Sequence, residues 1–186
     1  GQVGMAPWIA EKTAKVARRW TGDNVSRAVI LMAELDAEVK GQGGDPEFLP
    51  YTKDGMTGVI GILRCGEGPT VALRFDIDAL GVIESDESDH EPQALGFRSV
   101  NHGVMHACGH DGHMAILLAL AKLISENRDN LTYNVVLLFQ PGEEGCGGAR
   151  RMIEEGALQS PHIDRLYGLH LWPSVPKGKI GVRWGY

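Results

Sequence analysis

The chain has 186 residues and carries 18 Lys and Arg against 24 Asp and Glu, a formal net charge of -6. This length predicts one domain, and the acidic balance argues against nucleic acid or an anionic membrane as partner, because both require basic patches. With 43% hydrophobic and 23% charged residues, the composition excludes general disorder and predicts a folded domain with a sizeable core.

The apolar stretches and the cysteines indicate where the protein resides. The longest nearly uncharged apolar stretch, residues 114–121, is far shorter than the roughly 20 residues that a membrane span requires, and no export signal opens the chain. Cys65, Cys108 and Cys146 are an odd number at irregular spacing, which does not suit a disulfide framework. We therefore expect a cytoplasmic protein with reduced thiols.

The first quarter of the chain has helical patterns followed by a loop. Residues 7–20 have apolar side chains at helical spacing, with Pro7 where a helix can begin. Asp23 predicts the N-cap of a second helix, and Gly41 predicts its end. The Gly, Asp and Pro content of residues 41–55 then predicts a loop.

The middle of the chain contains two short apolar runs and one long one. Residues 58–64 and 70–76 flank a Gly/Pro segment, which predicts two strands joined by a tight turn. Residues 79–104 are polar and predicted to be irregular. Residues 111–125 predict a helix that is buried on most sides.

The last third alternates strands with a helix. Residues 133–140 predict a strand so continuously apolar that both of its faces must be covered. Residues 148–155 predict a helix, and residues 166–172 a fourth strand. Alternating strands and helices favour an α/β fold, a three-layer α/β/α domain with a mostly parallel mixed sheet.

Chemically active side chains follow the predicted strands instead of being scattered. They are Asp76, Asp78, Glu143, Glu144 and His170, together with residues 106–113 at the start of the long helix. In α/β sheets, ligands bind at the carboxyl ends of the strands. The sequence therefore predicts a site at this edge of the sheet.

Cys108 and His110 are the first candidates for metal ligands. A helix N-terminus lowers the cost of a thiolate, and a Cys-Gly-His run can direct sulfur and imidazole at one cation. A buried free cysteine beside capping histidines would explain the pair alone, but three histidines, a cysteine and an aspartate in eight residues are hard to explain by packing. His106 and His113 are expected to support or pack against the site.

The remaining candidates complete a hydrolytic site. Adjacent glutamates usually form a solvated turn, and a lone histidine such as His170 is usually a core residue. If a metal is bound, Glu144 can ligate it while Glu143 accepts a proton from bound water. Asp78 is preferred over Asp76 as the group that orients a ligand histidine, although either aspartate could cap its turn.

Other catalytic signatures are missing from the sequence, including phosphate loops, the Gly-x-Ser-x-Gly elbow and His-Glu-x-x-His. Two enzymatic interpretations remain open, namely metal-dependent hydrolysis and a Cys108 nucleophile with His110 or His170 as base. A third interpretation is a non-catalytic binding fragment of the same fold. Chelators would separate the first two, since they should silence only the metal enzyme.

Four segments resemble the M20 metallopeptidase family, in the branch of aminoacylases, hippurate hydrolases and indoleacetyl-amino-acid hydrolases. The segments are residues 74–80, 105–113, 139–145 and 169–170, and the run His-Ala-Cys-Gly-His-Asp-Gly-His is highly specific. The segments at 41–55 and 84–97 look most like the aminobenzoyl-glutamate hydrolase relatives. The resemblance implies hydrolysis of the amide bond of an N-acyl amino acid or similar small conjugate.

The resemblance also implies roles for individual residues. Cys108, His110, Glu144 and His170 are then ligands of a centre of two divalent ions, Glu143 is the general base, and Asp78 is the acidic group behind the metals. Thiolate and imidazole favour Zn²⁺ whereas carboxylate suits Mn²⁺, so both metals stay open.

The resemblance further implies that residues 1–186 are the N-terminal portion of a catalytic domain. Family members are about twice as long, with a lid and dimerisation domain and a last histidine ligand further on. We therefore expect the isolated piece to be nearly inactive, and the complete protein to be a homodimer.

Overall fold

The computed structural model describes residues 47–51 and 58–182, which form one five-stranded sheet with helices. A 3-10 turn, Arg128–Asn130, precedes the fourth strand. The elements in chain order are β1 (Glu47–Tyr51), β2 (Gly58–Leu63), β3 (Thr70–Asp76), α1 (Glu91–Ala94), α2 (His110–Glu126), β4 (Asn134–Gln140), α3 (Gly148–Glu154) and β5 (Arg165–Gly168). The helices predicted at 7–20 and after Asp23 lie outside the described residues.

The sheet has the strand order β1-β2-β4-β3-β5. β3 runs parallel to both β4 and β5, whereas β2 runs antiparallel to β1 and β4. The predicted α/β class with a mixed sheet is confirmed. The strands predicted at 58–64 and 70–76 exist, but the turn between them does not make them neighbours, because β4 lies between β2 and β3.

The central position of β4 follows from its sequence, since it supplies apolar side chains to both faces of the sheet. Val135, Leu137 and Phe139 pack with α2, whereas Val136 and Leu138 pack on the side of α3 with Met152. All five of these apolar side chains are buried, as predicted. Each such side chain contributes about 1.5–3 kcal/mol of transfer free energy. Helices on both faces of the sheet make the predicted three layers.

Two segments that were predicted to be irregular contain regular structure. β1 lies inside the segment 41–55 that was expected to be a loop, and Pro50 is compatible with a strand there because β1 is an edge strand. The segment 79–104 contains the one-turn helix α1, and an antiparallel bridge joins Leu80 to Met105.

α2 is less buried than expected, and β5 is shorter. One stripe of α2 faces the sheet, and its buried residues are His110, His113, Met114 and Leu117. Leu123 on the same helix is 56% exposed. β5 ends at Gly168, so the predicted strand at 166–172 stops before His170 and continues as irregular chain. In the described part of the chain no helix is long and apolar enough to cross a membrane.

Candidate metal centre

The polar candidates lie around the carboxyl ends of the parallel strands. Asp78 comes two residues after β3, Glu144 four residues after β4, and His170 two residues after β5. α2 begins beside them at His110. Since parallel strands end at one edge of a sheet, three distant segments reach a common place there.

The start of α2 depends on a left-handed glycine. Gly109 has φ 89° at the N-cap of α2, a conformation that a residue with a Cβ adopts only at a cost. The turn brings Cys108 and His110 into one cluster with Glu144, in which a donor atom of each lies within 4.8 Å of the others. The cluster therefore offers sulfur, imidazole nitrogen and carboxylate oxygen.

The tautomer of His110 follows from its hydrogen bonds. Its Nδ1 lies 2.9 Å from the carbonyl oxygen of Asp78 and 3.2 Å from Asp78 Oδ1. Both atoms accept, so Nδ1 carries the proton and Nε2 has the lone pair. That Nε2 is buried without a hydrogen-bond partner among the described residues, 3.8 Å from Glu144 Oε1. A buried lone pair without a partner is costly, and a cation would satisfy it.

His170 presents its Nε2 in the same way. Its Nδ1 lies 2.6 Å from the carbonyl oxygen of Leu171, an acceptor, so the proton is on Nδ1. Its Nε2 then lies 3.5 Å from Cys108 Sγ. Cys108, His110 and Glu144 thus form a set of donor atoms that fits a divalent cation, and His170 Nε2 lies beside this set at Cys108 Sγ.

Asp78 connects two of these residues. One carboxylate oxygen contacts His110 Nδ1, and the other accepts a hydrogen bond of 2.9 Å from the backbone N–H of Glu144. The predicted base, Glu143, is exposed in the same loop. The structure therefore places Asp78 in contact with two residues of the donor set and leaves Glu143 exposed in the adjoining loop.

A second group at the site is held together by contacts among Asp76, His113 and Arg74. Asp76 and His113 are both fully buried, and Asp76 Oδ1 contacts His113 Nδ1. Arg74 Nη1 lies 3.0 Å from the other oxygen of Asp76, Oδ2. His113 Nε2 accepts a hydrogen bond of 2.8 Å from the backbone N–H of Leu171. Asp76 and His113 also belong, with His110 and His170, to a second set of possible metal ligands whose donor atoms lie within 4.8 Å of one another, but both nitrogens of His113 are in use.

The pairing of Asp76 with His113 was not predicted from the sequence. Asp78 was favoured over Asp76, and no partner was assigned to His113. One signal was present, because His113 follows His110 by three residues and so lies on the same face of α2.

The charges of the site shift two pKa values. Burial works to raise the pKa of Asp76, but the hydrogen bond from His113 and the charge of Arg74 outweigh it and lower the pKa. Contact with Glu144 raises the pKa of the Cys108 thiol, and burial adds to this effect. The carboxylates around Cys108 thus favour the neutral thiol, and a cation would favour the thiolate.

Comparison with known proteins gives a family match over most of the described chain. The family model described as peptidase family M20/M25/M40 matches residues 72–185. An IAA-amino acid hydrolase (ILR1-like 2) of Arabidopsis thaliana is 47% identical over 130 residues, which is 70% of this chain and 28% of that protein. A p-aminobenzoyl-glutamate hydrolase chain of Escherichia coli is 39% identical over 140 residues, 75% of this chain and 32% of the relative.

Solved structures share the fold. The YXEP protein of Bacillus subtilis, described as a dinuclear metal binding peptidase from the M20 family, superposes with a TM-score of 0.77 at 30% identity. The match covers 96% of this chain and 46% of that protein. The chain spans about a third of the length of the curated relatives it matches.

Proposed function

Because this chain belongs to peptidase family M20/M25/M40, we propose that the full-length protein is a metal-dependent amidohydrolase. Its substrate would be an N-acyl amino acid or a similar small conjugate. The observation that carries the proposal is the convergence of Cys108, His110 and Glu144, whose donor atoms lie within 4.8 Å of one another. Aryl or indolyl acyl groups joined to amino acids are the conjugates named for the relatives.

We assign the ligand roles to Cys108, His110, Glu144 and His170. The lone pairs of the His110 and His170 Nε2 atoms support this assignment, because Nδ1 of each ring donates to a protein oxygen. Two divalent ions, Mn²⁺ or Zn²⁺, would lower the pKa of a bound water and polarise the substrate carbonyl. Asp78 would hold two of the ligand residues in place through His110 Nδ1 and the Glu144 N–H.

Glu143 is assigned as the general base. Glu143 directly precedes the proposed ligand Glu144 and its side chain is exposed, which supports this assignment. The carboxylate would take a proton from the attacking water and deliver it to the nitrogen of the departing amino acid. The products would be a carboxylic acid and a free amino acid.

The change Glu143→Gln tests this assignment. The amide keeps the size of the side chain but cannot accept the proton, so we expect metal content to be unchanged and kcat to fall by about 10²- to 10⁴-fold. Metal content is measured by elemental analysis and kcat with an aryl-acyl amino acid. The exposed Glu154, at the end of α3, provides a control, and Glu154→Gln should keep wild-type kcat. Turnover retained by Glu143→Gln contradicts the assignment.

A thiol mechanism is the second candidate, because Cys108 Sγ lies 3.5 Å from His170 Nε2. In that case Cys108 would form an acyl intermediate with His170 as base. Treatment with a chelator separates the two, since it should abolish hydrolysis reversibly for the metal enzyme and leave a thiol enzyme active. Absence of both bound metal and hydrolysis in the full-length protein would instead favour a non-catalytic binding role.

We also infer that the protein acts in the cytoplasm. Cys65, Cys108 and Cys146 are all unpaired, which suits a reducing compartment. The homodimer remains a prediction that depends on the family's lid domain.

A further inference from the structure

The segment that carries His170 has little regular structure to hold it. β5 ends at Gly168, and residues 169–172 are irregular and exposed. A ligand on such a segment needs an anchor, because misplacement by about 1 Å can cost 10²-fold in rate. The hydrogen bonds around Leu171 provide this anchor.

Both backbone groups of Leu171 are engaged at the site. Its N–H donates to His113 Nε2 at 2.8 Å, and its carbonyl oxygen accepts from His170 Nδ1 at 2.6 Å. The first bond ties the segment to a fully buried residue of α2, and the second orients the ring of His170. The peptide chain at Leu171 thus links His113 to the His170 imidazole.

His113 is in turn held from the opposite side. Because the Leu171 N–H can only donate, His113 Nε2 accepts, and the proton of the neutral ring lies on Nδ1 toward Asp76. Asp76 is fully buried at the end of β3 and paired with Arg74. A carboxylate in this position fixes both the tautomer and the orientation of the imidazole.

The side chain of Leu171 packs against the same helix start. It lies 3.7 Å from the position that a Cβ would occupy on Gly109, and 2.5 Å from that position on Gly112. Glycine at 112 therefore permits the close approach of Leu171 to α2. Backbone and side chain both attach the segment to the first turn of this helix.

We propose that Asp76 and His113 are positioning residues that hold His170, through Leu171, in the orientation needed to bind a metal ion. The inference rests on the proposed function, since it assigns His170 as a ligand. In the metal-free protein, too, His113 would set the tautomer and the orientation of the His170 ring. His113, both of whose ring nitrogens are engaged, would not itself bind the metal.

Two substitutions at His113 separate this role from general stability. In His113→Gln the amide lies near the place of Nε2 and can accept from Leu171, whereas in His113→Asn it lies near Nδ1 and cannot reach Leu171. We expect His113→Asn to weaken metal binding by about 10- to 100-fold. His113→Gln should keep most of the wild-type affinity. If both variants unfold at similar denaturant concentrations, the difference in metal affinity between them cannot come from stability.

The measurements use the full-length protein. Affinity is measured by competition with a chromophoric chelator, and the thiolate absorption of bound Co²⁺ reports whether Cys108 still ligates. In the metal-free protein, ¹⁵N chemical shifts of the labelled His170 ring report its tautomer, and the Nδ1–H form should lose population in His113→Asn only.

Wild-type affinity and a wild-type His170 tautomer in His113→Asn would overturn the inference, as would equal losses in both variants. If the wild-type protein binds no metal, the proposed function fails. The ring tautomer of His170 then still decides whether His113 positions it.

Discussion

The close approach of Gly148 to Pro141 predicts that the methyl group added by Gly148→Ala will disturb the loop that carries Glu143 and Glu144. Gly148 is the buried first residue of α3, and a Cβ there would lie 1.7 Å from the carbonyl oxygen of Pro141. To lengthen this Cβ to oxygen distance even to 3.0 Å, which is still a tight contact, the backbone must move by about 1.3 Å. Because Pro141 leads directly into Glu143 and Glu144, this movement would displace both carboxylates.

The magnitude of the effect follows from the size of this displacement. Overpacking against a backbone carbonyl costs about 3 kcal/mol of the free energy of unfolding, since no side chain can rotate away. A shift of about 1 Å at reacting groups costs roughly 100-fold in kcat/KM. We therefore expect Gly148→Ala to lose both stability and activity, measured by urea unfolding and by hydrolysis of an aryl-acyl amino acid.

Two other glycines provide matched controls for Gly148→Ala. A Cβ on Gly68 would lie 2.0 Å from the carbonyl oxygen of Thr132, a similar clash at the opposite end of β3, ~20 Å from the site. Gly68→Ala should lose stability with little change in kcat/KM of the folded enzyme. Gly81 has open space around its Cβ position, so Gly81→Ala should be neutral. Wild-type stability and activity in Gly148→Ala, or equal activity losses at 68 and 148, would refute the reasoning.

Two further predictions concern stability. Because the pKa of Asp76 is lowered from its ordinary value of 3.8, its anion contributes stability that is fully present above that pH and is lost as the pH falls through the lowered pKa. In Asp76→Asn the free energy of unfolding should therefore fall less steeply as the pH is lowered, whereas Asp86→Asn at an exposed position should behave like the wild type. Equal slopes for Asp76→Asn and the wild type at acidic pH would contradict this. Leu137 is fully buried and Leu123 is 56% exposed, so Leu137→Ala should cost about 2–5 kcal/mol in urea unfolding and Leu123→Ala under about 0.5 kcal/mol. Equal losses would show that the core is placed wrongly.

Local sequence pattern predicted those elements whose burial can be read from neighbouring residues. β4 and α3 were predicted within one residue, because a continuous apolar run and a glycine-bounded amphipathic segment each depend on nearby residues alone. β1 was missed because Pro50 argues against a strand unless its place at the sheet edge is known. The position of β4 between β2 and β3 was missed for a related reason, since strand order is decided by contacts between distant segments.

In the candidate site, too, the features visible in the local sequence were predicted and those that depend on distant contacts were missed. Cys108, His110, Glu144 and His170 were selected from side-chain chemistry and from the family motif, and the sequence displays both. His113 anchors the segment that carries His170 by accepting a hydrogen bond from the backbone N–H of Leu171. Every residue except proline has such a group. No residue type marks that contact, so it becomes visible only when α2 and the segment after β5 are brought together.

The left-handed conformation of Gly109 has a consequence for the part of the candidate site that lies on α2. Cys108 and His110 flank one turn whose geometry is set locally, so their spacing does not depend on where the chain lies after Gly168. If the segment after Gly168 moved away, the donor atoms of Cys108 and His110 would keep their relative positions at the N-terminus of α2.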